Sequence, residues 1–238
     1  MQKELAHVFL CAFLHKREHI MSIVENKDQQ VKSKKRVADH GEVFTNEREV
    51  NAMLDLVKDQ TERIEATFLE PACGDGNFLI EILRRKLNVL KSKYSKSRLE
   101  YNANLIKAVC SIYGVELLED NTLQCRERLY KEIQNTYLSL FENDDTTKQL
   151  FGSVRFVLNK NIICGNALNY TTNDGEPIVF TEWKFINDTD IKQRCFDYEV
   201  VLDKGKQTSL FADDDSIASI PEHGKEYPPI HYLKLSEQ

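Results

Sequence analysis

Glycine and proline are scarce, 9 and 5 of 238 residues, which excludes collagen-like repeats and Pro- or Gly-rich low-complexity chains. Long apolar runs are missing as well. The most apolar stretch, Val8 to Leu14 (VFLCAFL), has seven residues, too few for a ~30 Å hydrocarbon core. It also lacks a signal-peptide cleavage site, because His15, Lys16, Arg17 and Glu18 follow it directly. No excess of positive charge is present: 32 Lys and Arg stand against 38 Asp and Glu, a formal net charge of -6. The field of the whole chain therefore does not attract a polyanion, and contact with a nucleic acid needs a local basic patch. Close cysteine pairs are absent among Cys11, Cys73, Cys110, Cys125, Cys164 and Cys195, which argues for reduced, structural thiols in a cytoplasmic protein. None of the six histidines stands at ligand spacing from a Cys or a carboxylate, so no metal is expected. What is present is 41% hydrophobic and 29% charged residues, the balance of a globular chain long enough to bury a substantial core.

The pattern divides the chain into three parts. Residues 1–36 read as an N-terminal helix and a basic linker. Either an amphipathic helix covers Glu4 to Val24, with Leu5, Phe9, Ala12 and Phe13 on one face, or Met21 is the natural start and an extension precedes it. The linker Asn26 to Arg36 ends in VKSKKR. Residues 37–203 carry the organised domain. Asn46 and Glu49 have capping-box spacing, and Val50, Met53, Leu54 and Val57 follow the period of one buried helix face. A short β run, Thr67 to Glu70, meets Pro71; the turn Cys73-Gly74-Asp75-Gly76 then leads into a helix with Phe78, Leu79, Ile82 and Leu83 inward. A second strand is expected over Ala108 to Val115, ending at Glu116, and a crossover helix over Asp120 to Tyr137. Phe156 to Leu158 and Asn161 to Cys164 are short apolar runs, the second ending at Gly165-Asn166. Alternation of strand and helix implies parallel pairing. Ile178 to Ile186 and Phe196 to Leu202 are β-prone and form a hairpin or extend the sheet. Residues 204–238 read as an acidic, Pro-containing, irregular tail.

Three sites fall at the carboxyl ends of the first three expected strands, where open α/β sheets bind ligands. LEPACGDGNFL, Leu69 to Leu79, ends a strand on an acid and follows with glycines that let a ligand approach the backbone. GVELLEDN, Gly114 to Asn121, presents Glu116, whose two oxygens suit two ribose hydroxyls. IICGNALNY, Ile162 to Tyr170, presents Asn166, a donor and an acceptor for a purine edge. A dinucleotide fingerprint fits less well: Leu79 occupies the third glycine position of GxGxxG, and Glu116 lies 40 residues past Gly76 instead of ~20. Glu70, directly before the turn, suits a ligand with an ammonium group better than a pyrophosphate. No GxxxxGK[ST] pattern is present, which leaves little for ATP or GTP chemistry.

These motifs resemble those of the S-adenosylmethionine-dependent adenine-N6 DNA methyltransferases, the DNA-methylation enzymes and subunits of restriction-modification systems. LEPACGDGNFL is similar to their motif I, and GEVFTNEREVNAMLDLV, Gly41 to Val57, to the motif that precedes it. The resemblance covers about Lys34 to Tyr170. It implies a Rossmann-like class I methyltransferase fold, α/β with a mostly parallel and incomplete sheet. It further implies S-adenosylmethionine as cofactor. Phe44 and Thr45 would border its methionine end, and Glu70, Ala72, Cys73, Gly74, Asp75, Gly76 and Phe78 would surround its amino acid part. Glu116 and Leu117 would hold the ribose side, while Asn166 and Ala167 would meet the adenine. Asn166 stands where the family commonly has Asp. The family's Asn-Pro-Pro-aromatic tetrapeptide, which holds a flipped-out base, is absent: FDYEVVLDK, Phe196 to Lys204, stands at its place, and Pro228-Pro229 follows Tyr227. No catalytic residue is therefore assigned. The resemblance leaves three readings: a cofactor-binding subunit with DNA and a second methylase subunit as partners, a methyltransferase with a diverged catalytic loop, or an inactive methyltransferase-like binding or regulatory protein. The run Arg84 to Arg98 carries seven positive charges and no negative one, and Lys91, Lys93 and Lys96 are its candidates for phosphate or partner contact.

Overall fold

The computed structural model describes residues 8–9, 31–40, 42–198 and 225–237. In chain order the elements are β1 (Val8–Phe9), α1 (Lys34–His40), α2 (Glu47–Asp55), α3 (Lys58–Thr61), β2 (Phe68–Glu70), α4 (Asn77–Tyr94), α5 (Arg98–Cys110), β3 (Ile112–Glu116), α6 (Glu119–Leu138), α7 (Asp145–Asn161), β4 (Ile162–Asn166), β5 (Thr171–Thr172), β6 (Val179–Phe185), β7 (Asp190–Asp197) and β8 (Ile230–His231), followed by a 3-10 helix, Tyr232–Glu237. The chain is α/β. One sheet, in the order β1-β2-β3-β4-β5, is parallel through β4 and ends on antiparallel β5; a second, β6-β7-β8, is antiparallel.

Register sets the site. Glu70 lies opposite Gly114, and Glu116 opposite Cys164, so the carboxyl ends of β2, β3 and β4 step along one edge. Successive strand residues point to opposite faces. Gly114 turns to α4, where a Cβ would come within 2.9 Å of Cys73 Sγ and 3.0 Å of Leu79. Tyr113 turns the other way: its hydroxyl donates to the Thr181 carbonyl of β6 at 2.8 Å, and its ring meets Phe180 edge-on. On the helical side, Leu79, Ile82, Leu83, Leu87 and Leu90 of α4 are essentially inaccessible, each worth ~1.5–3 kcal/mol of burial.

Five elements depart from the sequence reading. Val8–Phe9 is a strand beside β2 where the apolar period suggested a helix; a β-branched residue next to an aromatic fits a sheet edge, and the rest of Glu4 to Val24 lies outside the described residues. Ala108 to Cys110 closes helix α5, so two helices connect β2 to β3 and the strand begins at Ile112. A short apolar run buried on all sides has no period that separates helix from strand. Phe156 to Leu158 belongs to α7 for the same reason. The β-prone pair forms a hairpin, but β7 starts at Asp190, and Asn187 makes the turn by accepting from the backbone N–H groups of Thr189 and Asp190 at 2.8 and 2.7 Å. Finally, the tail returns to the core: Tyr232 and Leu235 are buried, and β8 pairs with β7.

The start of α2 agrees with the sequence pattern. Asn46 caps α2 by accepting from Arg48 N–H, and Val50 and Leu54 are buried. Asp144 caps α7 and holds Arg98 through both carboxylate oxygens at 2.5 and 2.7 Å. Among the described residues, no helix is long and apolar enough to cross a membrane, and no group of three or more His, Cys, Asp or Glu could hold a metal ion.

Candidate functional site

The turn after β2 is built to stay open at the backbone. Gly74 and Gly76 have φ of +55° and +94°, a region other residues adopt only with strain. A Cβ on Gly76 would lie 2.7 Å from Cys125 Sγ, so the α6 helix packs directly on the turn. The backbone closes the loop with Cys73 N–H on the Val115 carbonyl at 3.0 Å and Gly76 N–H on the Cys73 carbonyl at 2.8 Å. Arg128 of α6 clamps it from outside, reaching Asp75 Oδ2 at 2.9 Å, the Asp75 carbonyl at 2.8 Å and Asn77 Oδ1 at 2.9 Å. Asp75 Oδ1 is buried and has no hydrogen-bond partner among the described residues.

Glu116 meets this turn from β3. Its Oε2 accepts from Gly74 N–H at 2.8 Å, and its Oε1 from Leu118 N–H at 2.9 Å and from Asn121 Nδ2 at 3.3 Å. Three of the roughly four acceptor positions of a carboxylate are thereby used. Glu70 sits at the end of β2, and burial pushes its carboxyl up to about 7 against one weak backbone hydrogen bond, from Ala72 N–H at 3.4 Å. Leu117, next to Glu116, keeps 42% of its surface exposed, and Leu168 beyond β4 is exposed too. Glu116, the half-buried Glu70, which has no cation beside it among the described residues, and the exposed Leu117 thus share one edge of the sheet.

The segment before α2 lies over this edge. The Phe44 ring would be 3.1 Å from a Cβ on Gly74, so it covers the glycine turn, and the Thr45 carbonyl accepts from Asn77 Nδ2 at 3.0 Å. Lys32 Nζ stands 5.7 Å from the centre of the Phe44 ring. Arg36 forms paired hydrogen bonds with Glu42 at 2.6 and 2.7 Å and with Asp120 of α6 at 2.8 and 3.0 Å. The same guanidinium holds Glu42 below the usual carboxylate range and takes Asp120 down to about 2.

The structure brings Phe44, Thr45, Glu70, Ala72, Cys73, Gly74, Asp75, Gly76 and Phe78 to one turn, with Glu116 and Leu117 beside it. Asn166 and Ala167 end the neighbouring strand β4. Asn166 Oδ1 accepts from Leu168 N–H at 2.9 Å, which leaves its amide nitrogen as donor. Lys91, Lys93 and Lys96 do not join them: they are exposed near the far end of α4, about 20 Å of helix from Gly76. Arg84 and Arg85, from the same basic run, are tied to Glu47, Glu81, Glu132 and Asp55, and Lys86 is buried.

Sequence reading missed Lys32, Arg36, Glu42, Asp120, Asn121 and Arg128. One signal for part of this set exists: Asn121, Cys125 and Arg128 stand at i, i+4 and i+7, one face of α6, directly after the strand-ending acid. No protein-family model matches the chain, and no curated protein or solved structure matches it either.

Proposed function

We propose that the chain is the S-adenosylmethionine-binding part of an adenine-N6 DNA methyltransferase, with a Rossmann-like class I sheet, working on DNA with a second methylase subunit. The observation that carries this reading is the 2.8 Å hydrogen bond between Gly74 N–H and Glu116 Oε2, which joins two motifs 42 residues apart at the carboxyl ends of adjacent parallel strands. Such a junction is where a ligand with both a charged amino acid end and a ribose finds backbone and carboxylate together. The side chains fit that ligand. Glu70 is a half-buried acid beside the turn and suits an ammonium; Glu116 keeps about one acceptor position for a ribose hydroxyl; Leu117 offers an apolar face to adenine. When bound, the cofactor supplies an activated methyl group. This chain's residues would orient it: the turn fixes the amino acid end, Glu116 the sugar, and Phe44 and Thr45 shield the edge from water. In that chemistry the target amine would form a bond to the methyl carbon as the carbon–sulfur bond breaks, leaving a neutral thioether and passing its proton to solvent, so these residues would need to hold the groups close more than to supply a strong base.

The 238 residues contain no Asn-Pro-Pro-aromatic string, which favours the subunit reading over a complete enzyme and keeps an inactive binding or regulatory protein as the second reading. Calorimetric titration of the purified chain with S-adenosylmethionine, without DNA, is the direct test. Micromolar binding is expected, and Glu116→Ala should weaken it by roughly ten- to a hundredfold, the effect of one or two hydrogen bonds to a charged group. Absence of binding by the wild-type chain removes the reading. Methylation of DNA only after a second subunit is added separates the subunit from the inactive protein.

A further inference from the structure

We infer that Asn121 is a positioning residue that couples the ribose acid Glu116 to a strap over the site, formed by Lys32–His40 and Glu42–Thr45. The inference rests on the proposed cofactor reading and adds to it how the site closes. Asn121 is 1% exposed, and its amide nitrogen stands between two carboxylates, donating to Glu42 Oε1 of the strap at 2.6 Å and to Glu116 Oε1 at 3.3 Å. Its oxygen accepts from Lys32 Nζ at 2.5 Å. Lys32 also reaches Gln124 Oε1 at 2.9 Å and Asp120 at 3.4 Å, and Arg36 joins Glu42 to Asp120. The strap is therefore fastened to α6 at Asp120, Asn121 and Gln124, and of these the buried amide of Asn121 also touches the acid at the end of β3.

The chemistry of the acid gives this arrangement a consequence. A ribose presents two hydroxyl donors, whereas Glu116 has about one acceptor position left. The longest of its three bonds is the one from Asn121, so a diol replaces that bond first. The amide, released from Glu116, is then held by the strap alone through Glu42 and Lys32. Occupancy of the sugar site and seating of the strap are linked through the same side-chain NH2, and a ligand lacking the 2′-hydroxyl drives the exchange less.

Hydrogen exchange of Lys32–His40 and Glu42–Thr45 in the full chain tests this, with S-adenosylhomocysteine and its 2′-deoxy counterpart as probes. In the wild type, the ribose ligand should slow exchange of the strap more than the deoxy ligand does. In Asn121→Ala the two ligands should slow exchange of the strap alike, because the amide that the ribose displaces from Glu116 is gone. Glu42→Gln, on the strap itself, should loosen the strap without ligand and reduce the same difference; it serves where Asn121→Ala does not fold. Equal exchange for both ligands in the wild type, or an undiminished difference in both variants, overturns the coupling while leaving the cofactor reading in place. Failure of the wild type to bind S-adenosylhomocysteine instead overturns the cofactor reading, and the coupling with it.

Discussion

The indole Nε1–H of Trp183 donates to Oδ1 of Asn161 at 2.9 Å, and this pair fixes the hairpin to the main sheet. Asn161, fully buried at the junction of α7 and β4, sends its amide nitrogen to the carbonyls of Ile112, Cys110 and Val109 at 3.0, 3.3 and 3.4 Å. One side chain thereby links the end of α5, the start of β3 and strand β6. Asn161→Leu would leave the indole N–H without this partner and take one donor each from the carbonyls of Ile112, Cys110 and Val109. We expect a loss of ~2–4 kcal/mol in urea unfolding. Trp183 is the chain's single tryptophan, so its emission should also shift to the red in the folded variant if the hairpin loosens.

Gly76 carries two separable constraints, its φ of +94° and the approach of Cys125 Sγ to 2.7 Å from a would-be Cβ. Gly76→Ala should cost ~1–3 kcal/mol from backbone strain, with a clash in addition. Adding Cys125→Ala removes the clash and leaves the strain. Partial recovery in thermal unfolding is therefore expected. Complete recovery would show that the backbone conformation is not limiting.

Glu70 gives the site a pH signature. Burial raises its folded-state value from 4.5 to about 7, so the folded chain holds a proton that the unfolded chain has already released. Its contribution to stability is present below about 4.5 and is lost as pH rises through about 7. A ligand ammonium placed beside it reverses the shift and expels the proton. Titrations with S-adenosylmethionine at about pH 6, in buffers of different ionisation enthalpy, should report release of most of one proton, and almost none at about pH 8. Glu70→Gln should abolish the release. Buffer-independent heats in the wild type would place the ammonium elsewhere.

Lys86 behaves in the opposite sense. Its amine is fully buried in α4 and donates to the carbonyls of Ile64 and Ala66 at 2.8 and 2.6 Å and to Ser111 Oγ at 2.6 Å. Three acceptors match the three donors of the charged form, yet desolvation takes its value from 10.5 down to about 7. Between those limits the unfolded chain binds a proton that the folded chain has lost, so stability rises with pH from about 7 to about 10.5. Lys86→Met should flatten that slope in a series of thermal melts. It should also lower stability throughout, because the Ile64 and Ala66 carbonyls, just ahead of β2, lose the amine's hydrogen bonds.

The residues at the strand ends and the glycine turn were legible before the fold was known because strand ends and turns announce themselves locally. Glu70, Gly74 and Gly76 sit where a short β run meets a turn, and Glu116 and Asn166 end runs of the same kind; those signals need no distant partner. The α/β class followed from their alternation. Element boundaries did not follow where a run is buried on every side: Ala108 to Cys110 reads as strand or helix alike until α4 and α7 enclose it. Nor could local pattern place Val8–Phe9 beside β2, since a sheet edge 60 residues away selects that pairing. The strap is the clearest case. Lys32 and Arg36 look like solvated linker charges in sequence, and Asn121 like any polar helix residue. Tertiary structure alone sets them against Asp120, Glu42 and Glu116, because a charge acquires a role only from the opposite charge that folding brings within hydrogen-bond distance.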